Sequence, residues 1–393
     1  MKARSAPLLG RAVRSQWQLD WSKLTVNHGS YGATPRVVLD AQDQWRRKLE
    51  AQPTLFMRRI LPDALRAGAE QLGRFVGAQG QDLVFVENAT SGCNAVLRSL
   101  SLGAGDEILV LSHTYGAVRN TVRYLAEQSG AVVVEADIPF PDPAEDALLR
   151  NLSDKLTDRT RIAIIDHITS PSALVLPLSR IIGICRSAGV PILVDGAHGP
   201  GQVTLDLGAL NPDWYVGNCH KWLMAPKGCA FLWARPDRQA ALHPVIISHG
   251  FGKGFLAEFD WTGTRDPSAF LAVDSAIAFH DQLGGADLRV RNAELARRGA
   301  AIVSRHFGTE VAASPDWCAS MALVGLPTTT SPVTTEKAIA TRQHLLDAGC
   351  DAALFAVSGR LWVRLSAQAY NVEEDYEHLS RLLEAALARE NEN

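Results

Sequence analysis

From about residue 83 the chain alternates short apolar runs with longer amphipathic stretches. The runs "DLVFV", "DEILVLS", "GAVVVEA", "RIAIIDH", "VPILVDG", "DWYVGN" and "CAFLW" are rich in Val and Ile and bounded by Gly, Asp or Pro, the pattern of strands buried on both faces. Between most of them lie helix-length segments such as "TSGCNAVLRSLSLG" and "AVRNTVRYLAEQSG", each closing on a glycine that can end a helix. Strand alternating with helix predicts an α/β fold whose mainly parallel sheet is covered by helices. After "WTGTRDPSAFLAVDSAIAFHDQLGG" the pattern shifts to long Ala-, Leu- and Arg-rich helical stretches with fewer strands, which predicts a smaller α+β domain from about residue 270.

At 393 residues and 47% hydrophobic content the chain can bury a large core and form about two or three domains. A net charge of -3 without a long basic run argues against nucleic acid or an anionic membrane surface as partner. The N-terminal "MKARSAPLLGRAVRSQWQLDW" lacks the apolar core of a signal peptide, and no stretch reaches membrane-spanning length. A cytoplasmic protein with a small-molecule substrate is expected. The six cysteines form no CxxC pair, so no metal site is indicated and reduced thiols are expected.

In an open parallel sheet, ligands collect at the carboxyl ends of the strands. There the chain places His113 and Tyr115, His167 to Ser170, Asp195 to His198, and Asn218 to Lys221. In "VPILVDGAHGPG", four apolar residues lead into Asp195, a carboxylate that must be paired or hydrogen-bonded where it is buried. It either caps the following turn or faces a cationic ligand. Lys221 follows the next strand, and Trp222, Leu223 and Met224 would desolvate its amine and bring it toward the nucleophilic range. A lysine that forms an imine and an aspartate that holds a protonated pyridine nitrogen are what pyridoxal phosphate requires. "FVENATSGCNAVLRSL" adds a third part, because Ala89 and Thr90 would open a helix whose free amides face an anion.

The segment "VDGAHGPGQVTLDLGALNPDWYVGNCHKWLMAPKGCAFLW" resembles the core of class V aminotransferases, the fold-type I pyridoxal phosphate group. "NHGSYG" and "WTGTRDPSAFLA" look most like the branch of isopenicillin N epimerase and related carbon-sulfur lyases, over roughly residues 25 to 375. The resemblance implies a seven-stranded, mainly parallel large domain. It also implies a division into an N-terminal segment 1–30 that contributes to the active site and small domain, a large domain 31–269, and a small domain 270–393.

Within that resemblance Lys221 carries pyridoxal 5'-phosphate as a Schiff base and Asp195 holds the ring nitrogen. The Ala89 backbone, Thr90, Asn218 and His220 reach the phosphate. Gly263 and Thr264 match a pair that reaches it from the neighbouring subunit, which implies a homodimer. Ser170 falls where many relatives have an asparagine near the ring hydroxyl, and His198 where desulfurases have glutamine. His113 or Tyr115 covers one face of the ring, with Tyr115 preferred for its flat face and hydroxyl. On the substrate side stand Asn27, Ser30, Tyr31 and Arg364, the last as a bidentate partner for the α-carboxylate in preference to Arg360.

The shared first step is removal of the Cα proton, with Lys221 as base. Epimerisation, transamination and elimination diverge only after it. Desulfurase chemistry is disfavoured, since "DAALFAVSGRLWV" before Arg364 contains no cysteine and Cys350 and Cys219 read as packing residues. An epimerase needs a second acid or base opposite Lys221, for which Tyr115, His113 and Tyr31 are candidates; a lyase needs one base. The sequence favours epimerase-like chemistry first and carbon-sulfur lyase second, with a catalytically silent binding protein as the contrasting class.

Overall fold

The computed structural model describes residues 9–329 and 331–392, so the first eight residues of segment 1–30 lie outside the described residues. Each of the seven apolar runs forms a strand: β1 (Leu83–Val86), β2 (Glu107–Leu111), β3 (Val132–Ala136), β4 (Thr160–Asp166), β5 (Ile192–Asp195), β6 (Trp214–Asn218) and β7 (Ala230–Ala234). They form one sheet in the order β1-β7-β6-β5-β4-β2-β3. Only β7 runs antiparallel to its neighbours, β1 and β6; the other pairs are parallel.

Alternate side chains of these strands enter two different cores, as a period of two requires. Ile162 and Ile164 of β4 pack in the layer that holds α1 (Ala89–Arg98) and α2 (Gly116–Ser129), together with Val96, Val118 and Leu193. Ala163 and Ile165 face the opposite layer with Leu109, Val194 and Phe231. Each fully buried Val, Leu or Ile contributes about 1.5–3 kcal/mol. Gly130 ends α2 in the left-handed conformation, at φ 76°.

The C-terminal region carries a second, antiparallel sheet of β8 (Val311–Ala312), β9 (Met321–Gly325), β10 (Ala353–Val357) and β11 (Arg360–Ser366), ordered β10-β11-β9-β8. The helices α3 (Ala286–Phe307) and α4 (Glu373–Glu392) share its core, where Leu295, Val303, Val363 and Leu379 are buried together. Leu24–Thr25 pairs in parallel with Cys350–Asp351, and Val26 enters this same core.

Residues just past 270 behave otherwise than the change of pattern predicts. Phe270, Val273, Phe279 and Leu288 bury their side chains in the first core, and the second core begins along α3 at Leu295. Among the described residues no helix is long and apolar enough to cross a membrane.

Candidate active site

A cavity of about 340 Å³ opens at the carboxyl ends of β4, β5 and β6 and at the N-terminus of α1. Lys221 stands in its wall because the chain folds back sharply after β6. The amides of Cys219 and His220 both donate to the Cys229 carbonyl, at 3.0 and 3.1 Å, and the Ala225 amide returns to Cys219 at 3.0 Å. The N-terminal "NHGSYG" closes over this turn. A Cβ on Gly32 would lie 2.0 Å from the His220 carbonyl oxygen, so only glycine permits the approach.

Burial, reinforced by the positive Arg364, pushes the Lys221 amine down to about 7, while Asp195 pulls the other way. The apolar flank is as expected, with Trp222, Leu223 and Met224 all buried. Lys221 Nζ lies 3.2 Å from His198 Nε2. His198 itself is held well below its ordinary value by burial, with Lys221 and Arg364 adding to the effect.

Asp195 ends β5 and accepts the Ala197 amide at 3.0 Å, so it makes the local cap and also lines the cavity. Burial raises its carboxyl, opposed by that amide and by Lys221. Asp166, at the end of β4, lies in register beside it and lines the same cavity. Asp166 is not among the residues expected from the sequence. Its signal was present in "RIAIID", which ends as "PILVD" does.

The phosphate cup needs one correction. The Ala89 amide, expected to face the anion, donates to Asn218 Oδ1 at 2.8 Å, so Asn218 acts as a strut between β6 and α1. The Ser91 amide is taken by the N-cap Asn88 at 2.9 Å. Thr90, between them, lines the cavity and keeps its amide for an anion at the positive end of α1. His220 also lines it, with Nδ1 3.2 Å from the Cys229 carbonyl. Glu87, not among the residues expected from the sequence, also lines the cavity and pairs with Arg265.

Tyr115 reaches the cavity and is 43% exposed, whereas His113 is turned away. His113 Nδ1 bonds Ser172 Oγ at 2.8 Å and its ring meets Phe140 edge-on, which leaves it packed behind the wall. Ser170, Ser30 and Tyr31 line the cavity, Tyr31 at 67% exposure.

Arg364 comes from the centre of β11 and is only 1% exposed. It donates to the Ser170 carbonyl at 2.6 Å, to Ser30 Oγ at 3.1 Å and to Asn27 Oδ1 at 3.3 Å, while its Nε has no partner. Asn27 is fixed in turn by Asp351, 2.9 Å from its amide nitrogen. A buried guanidinium bonded to neutral oxygens calls for an anion, and burial brings it down to about 10. Arg360 pairs with Glu310 instead. Gly263 and Thr264 do not line the cavity of their own chain.

These groups fit pyridoxal phosphate. An amine near neutrality, a buried carboxylate for a cationic ring nitrogen, a flat tyrosine and an unspent helix amide share one cavity of suitable size.

The family profile described as "Aminotransferase class-V" matches residues 32–379. Putative L-cysteine desulfhydrase 1 of Oryza sativa subsp. japonica is 34% identical, covering 90% of this chain and 81% of that protein. Isopenicillin N epimerase of Amycolatopsis lactamdurans is 32% identical, covering 94% and 97%. Among solved structures, the cystine C-S lyase C-DES in complex with cysteine persulfide superposes with a TM-score of 0.78 at 22% identity, covering 92% of this chain and 97% of that one. This last likeness bears on the fold.

Proposed function

The chain belongs to the class V aminotransferase family, and on that premise we propose that it is a pyridoxal phosphate-dependent carbon-sulfur lyase acting on a cysteine-type α-amino acid. One observation carries the choice of elimination. Lys221 is brought to about 7, near neutrality, whereas burial holds the two cavity histidines, His198 and His220, far below their ordinary values. Elimination needs one base at Cα and no second proton donor across from it.

When bound, pyridoxal phosphate supplies the electron sink that makes the Cα–H bond labile. Arg364 sits behind the cavity-lining Ser30 and Ser170, to which it donates along with Asn27, and is the group that would hold the substrate carboxylate. Lys221 Nζ takes the Cα proton; the Cβ–S bond breaks, the sulfur leaves with the electron pair, and the Lys221 ammonium returns the proton to it to give a thiol. Hydrolysis of the remaining fragment yields pyruvate and ammonia. Relatives named L-cysteine desulfhydrase and L-cysteine desulfhydrase-like support the reading.

Epimerisation, as in isopenicillin N epimerase, is the second reading, favoured by Tyr31 and Tyr115, whose side chains both belong to the cavity wall. Incubation in deuterated water with cysteine conjugates separates the two. Pyruvate with thiol release is expected; deuterium at Cα with inversion and no pyruvate supports the epimerase instead, and keto acid formed only with an amino acceptor overturns both. A band near the visible edge that borohydride removes, absent in Lys221→Ala, excludes a silent binding protein.

The active unit is inferred to be a cytoplasmic homodimer. Gly263 and Thr264 lie outside their own cavity, and Val245 and Ile246, which share a groove with the flanking Thr262 and Arg265, are exposed apolar side chains that a second copy would cover. Separate cores support a division into a large cofactor-binding domain and a small domain that exchange along α3.

A further inference from the structure

Asp166 and Asp195 are the last residues of two adjacent parallel strands and are Cα partners in the ladder. Neighbouring strands lie about 4.8 Å apart and in-register residues point to the same face, so the two carboxyls stand side by side. Both are buried, at 2% and 4% exposure, and both line the cavity. Asp195 has a fixed donor in the Ala197 amide. No donor group of the protein reaches the buried Asp166 Oδ2, so the chain itself leaves an ionised oxygen there uncompensated.

The surroundings decide where a single proton sits. Burial raises the Asp166 carboxyl and Asp195 from β5 adds to that, while the Tyr115 amide and Thr114 from the loop after β2 favour its anion. Facing Asp195 are the Ala197 amide and Lys221, both favouring its anion. The Cys93 thiol of α1 lies close to both carboxyls and the Tyr215 hydroxyl of β6 close to Asp195; burial and these charges push both up, so neither adds a compensating charge. His167, next to Asp166, is neutral by burial.

We infer that Asp166 is a positioning residue, a carboxylic acid that stays protonated beside ionised Asp195, so that the pair holds one negative charge and one proton. With two charges the site would be too costly to bury; with one, Asp195 is matched to a single cationic ring nitrogen while Asp166 donates a hydrogen bond within the pair. The role toward the ring rests on the reading of Asp195 as its partner. The shared proton does not, because it belongs to the chain alone.

The test therefore starts with cofactor-free protein. Infrared spectra at pH 8, where Asp260, at about 6, is ionised, should show a neutral carboxyl C=O band that Asp166→Asn removes. No such band in the unsubstituted protein, or a band that persists in Asp166→Asn, overturns the inference. A folded-state value above the unfolded one makes Asp166 cost stability as pH rises past about 3.9. Asp166→Asn, a neutral mimic, should thus match the parent Tm near pH 4 and exceed it increasingly toward pH 8. An equal loss at both pH values would assign a purely structural hydrogen bond and sink the proposal. If Asp166→Asn does not fold, pH titration of the band in unsubstituted protein carrying 13C-labelled aspartate decides alone: a band gone by pH 7 is contrary. Lyase failure with a positive infrared result refutes only the reaction assignment.

Discussion

Trp222 Nε1 donates to His198 Nδ1 at 3.3 Å, and the other nitrogen of that ring, Nε2, lies 3.2 Å from Lys221 Nζ. An indole N–H can only donate, so His198 Nδ1 accepts and the neutral ring carries its proton on Nε2. That proton then points at Lys221, which can accept it only as a neutral amine. The contact favours the uncharged lysine, in the same sense as burial. Trp222→Phe frees the ring to present a bare Nε2 to an ammonium, so the neutral fraction of Lys221 near pH 7 should fall by about five- to tenfold. The pH dependence of amine acylation in cofactor-free protein checks this; a midpoint unmoved from that of the parent would refute the tautomer argument.

Arg364 separates binding from stability. It is buried, lacks a carboxylate partner and has an unbonded Nε, so the free protein bears the cost of desolvating its charge. Replacement by an apolar side chain of similar length removes that cost. Arg364→Met is expected to keep or raise Tm while kcat/KM falls by about 100-fold, roughly the loss of a bidentate charged contact. Arg364→Lys should recover little, because a point charge cannot reproduce the fork. A kcat/KM within threefold of the parent would place the substrate carboxylate elsewhere.

What the sequence made legible was local. Seven strands were readable as apolar runs, and the residues that end them, Asp195 and Asn218 among them, stood out because a polar group at the end of a buried strand needs a reason. Lys221 gained its meaning from the apolar Trp222, Leu223 and Met224. What was not legible depends on pairing across the sheet. Asp166 matters because β4 and β5 align it with Asp195, and no local pattern states that register. The Ala89 amide is spent on Asn218, 129 residues away in the chain. His113 and Tyr115 competed for one face of the ring with Tyr115 preferred, and the bond from His113 to Ser172, which holds that ring behind the wall, lies 59 residues away in the chain. The change of pattern at 270 marked where strands become fewer, yet the side chains there still pack on the first core.

Four histidines whose values are depressed predict a steep acid limb of stability. Burial lowers His28 to about 3 and His113, His167 and His220 to about 4. For a base whose folded value is depressed, the unfolded chain binds the extra proton, so stability is fully present above about 6.5 and is lost as pH falls toward 4 and 3. Each ring contributes about 1.4 kcal/mol per pH unit within that window. Urea midpoints should fall steadily from pH 6.5 to 4.5, and His167→Gln, whose ring otherwise bonds the Tyr215 hydroxyl at 2.9 Å, should flatten the slope by about one proton. A slope unchanged by His167→Gln would mean that this ring is already protonated in the fold.

His220 links the phosphate site to proton uptake. Its Nδ1 faces the Cys229 carbonyl at 3.2 Å, and a carbonyl only accepts, so Nδ1 carries the hydrogen and Nε2 is bare while the ring is neutral. A bare nitrogen repels a phosphate oxygen; a protonated one donates to it. Burial and Lys221 hold the ring at about 4 in the free protein, so an anion arriving beside Thr90 must bring its own proton or draw one onto His220. Binding of inorganic phosphate to cofactor-free protein at pH 7 should therefore take up a proton, approaching one per site. Calorimetry in two buffers of different ionisation enthalpy measures the number directly. His220→Asn, whose amide donates at any pH, should bind phosphate without that uptake and with an affinity nearly constant between pH 6 and 8. Equal uptake in parent and variant would move the proton to another group and separate His220 from the phosphate.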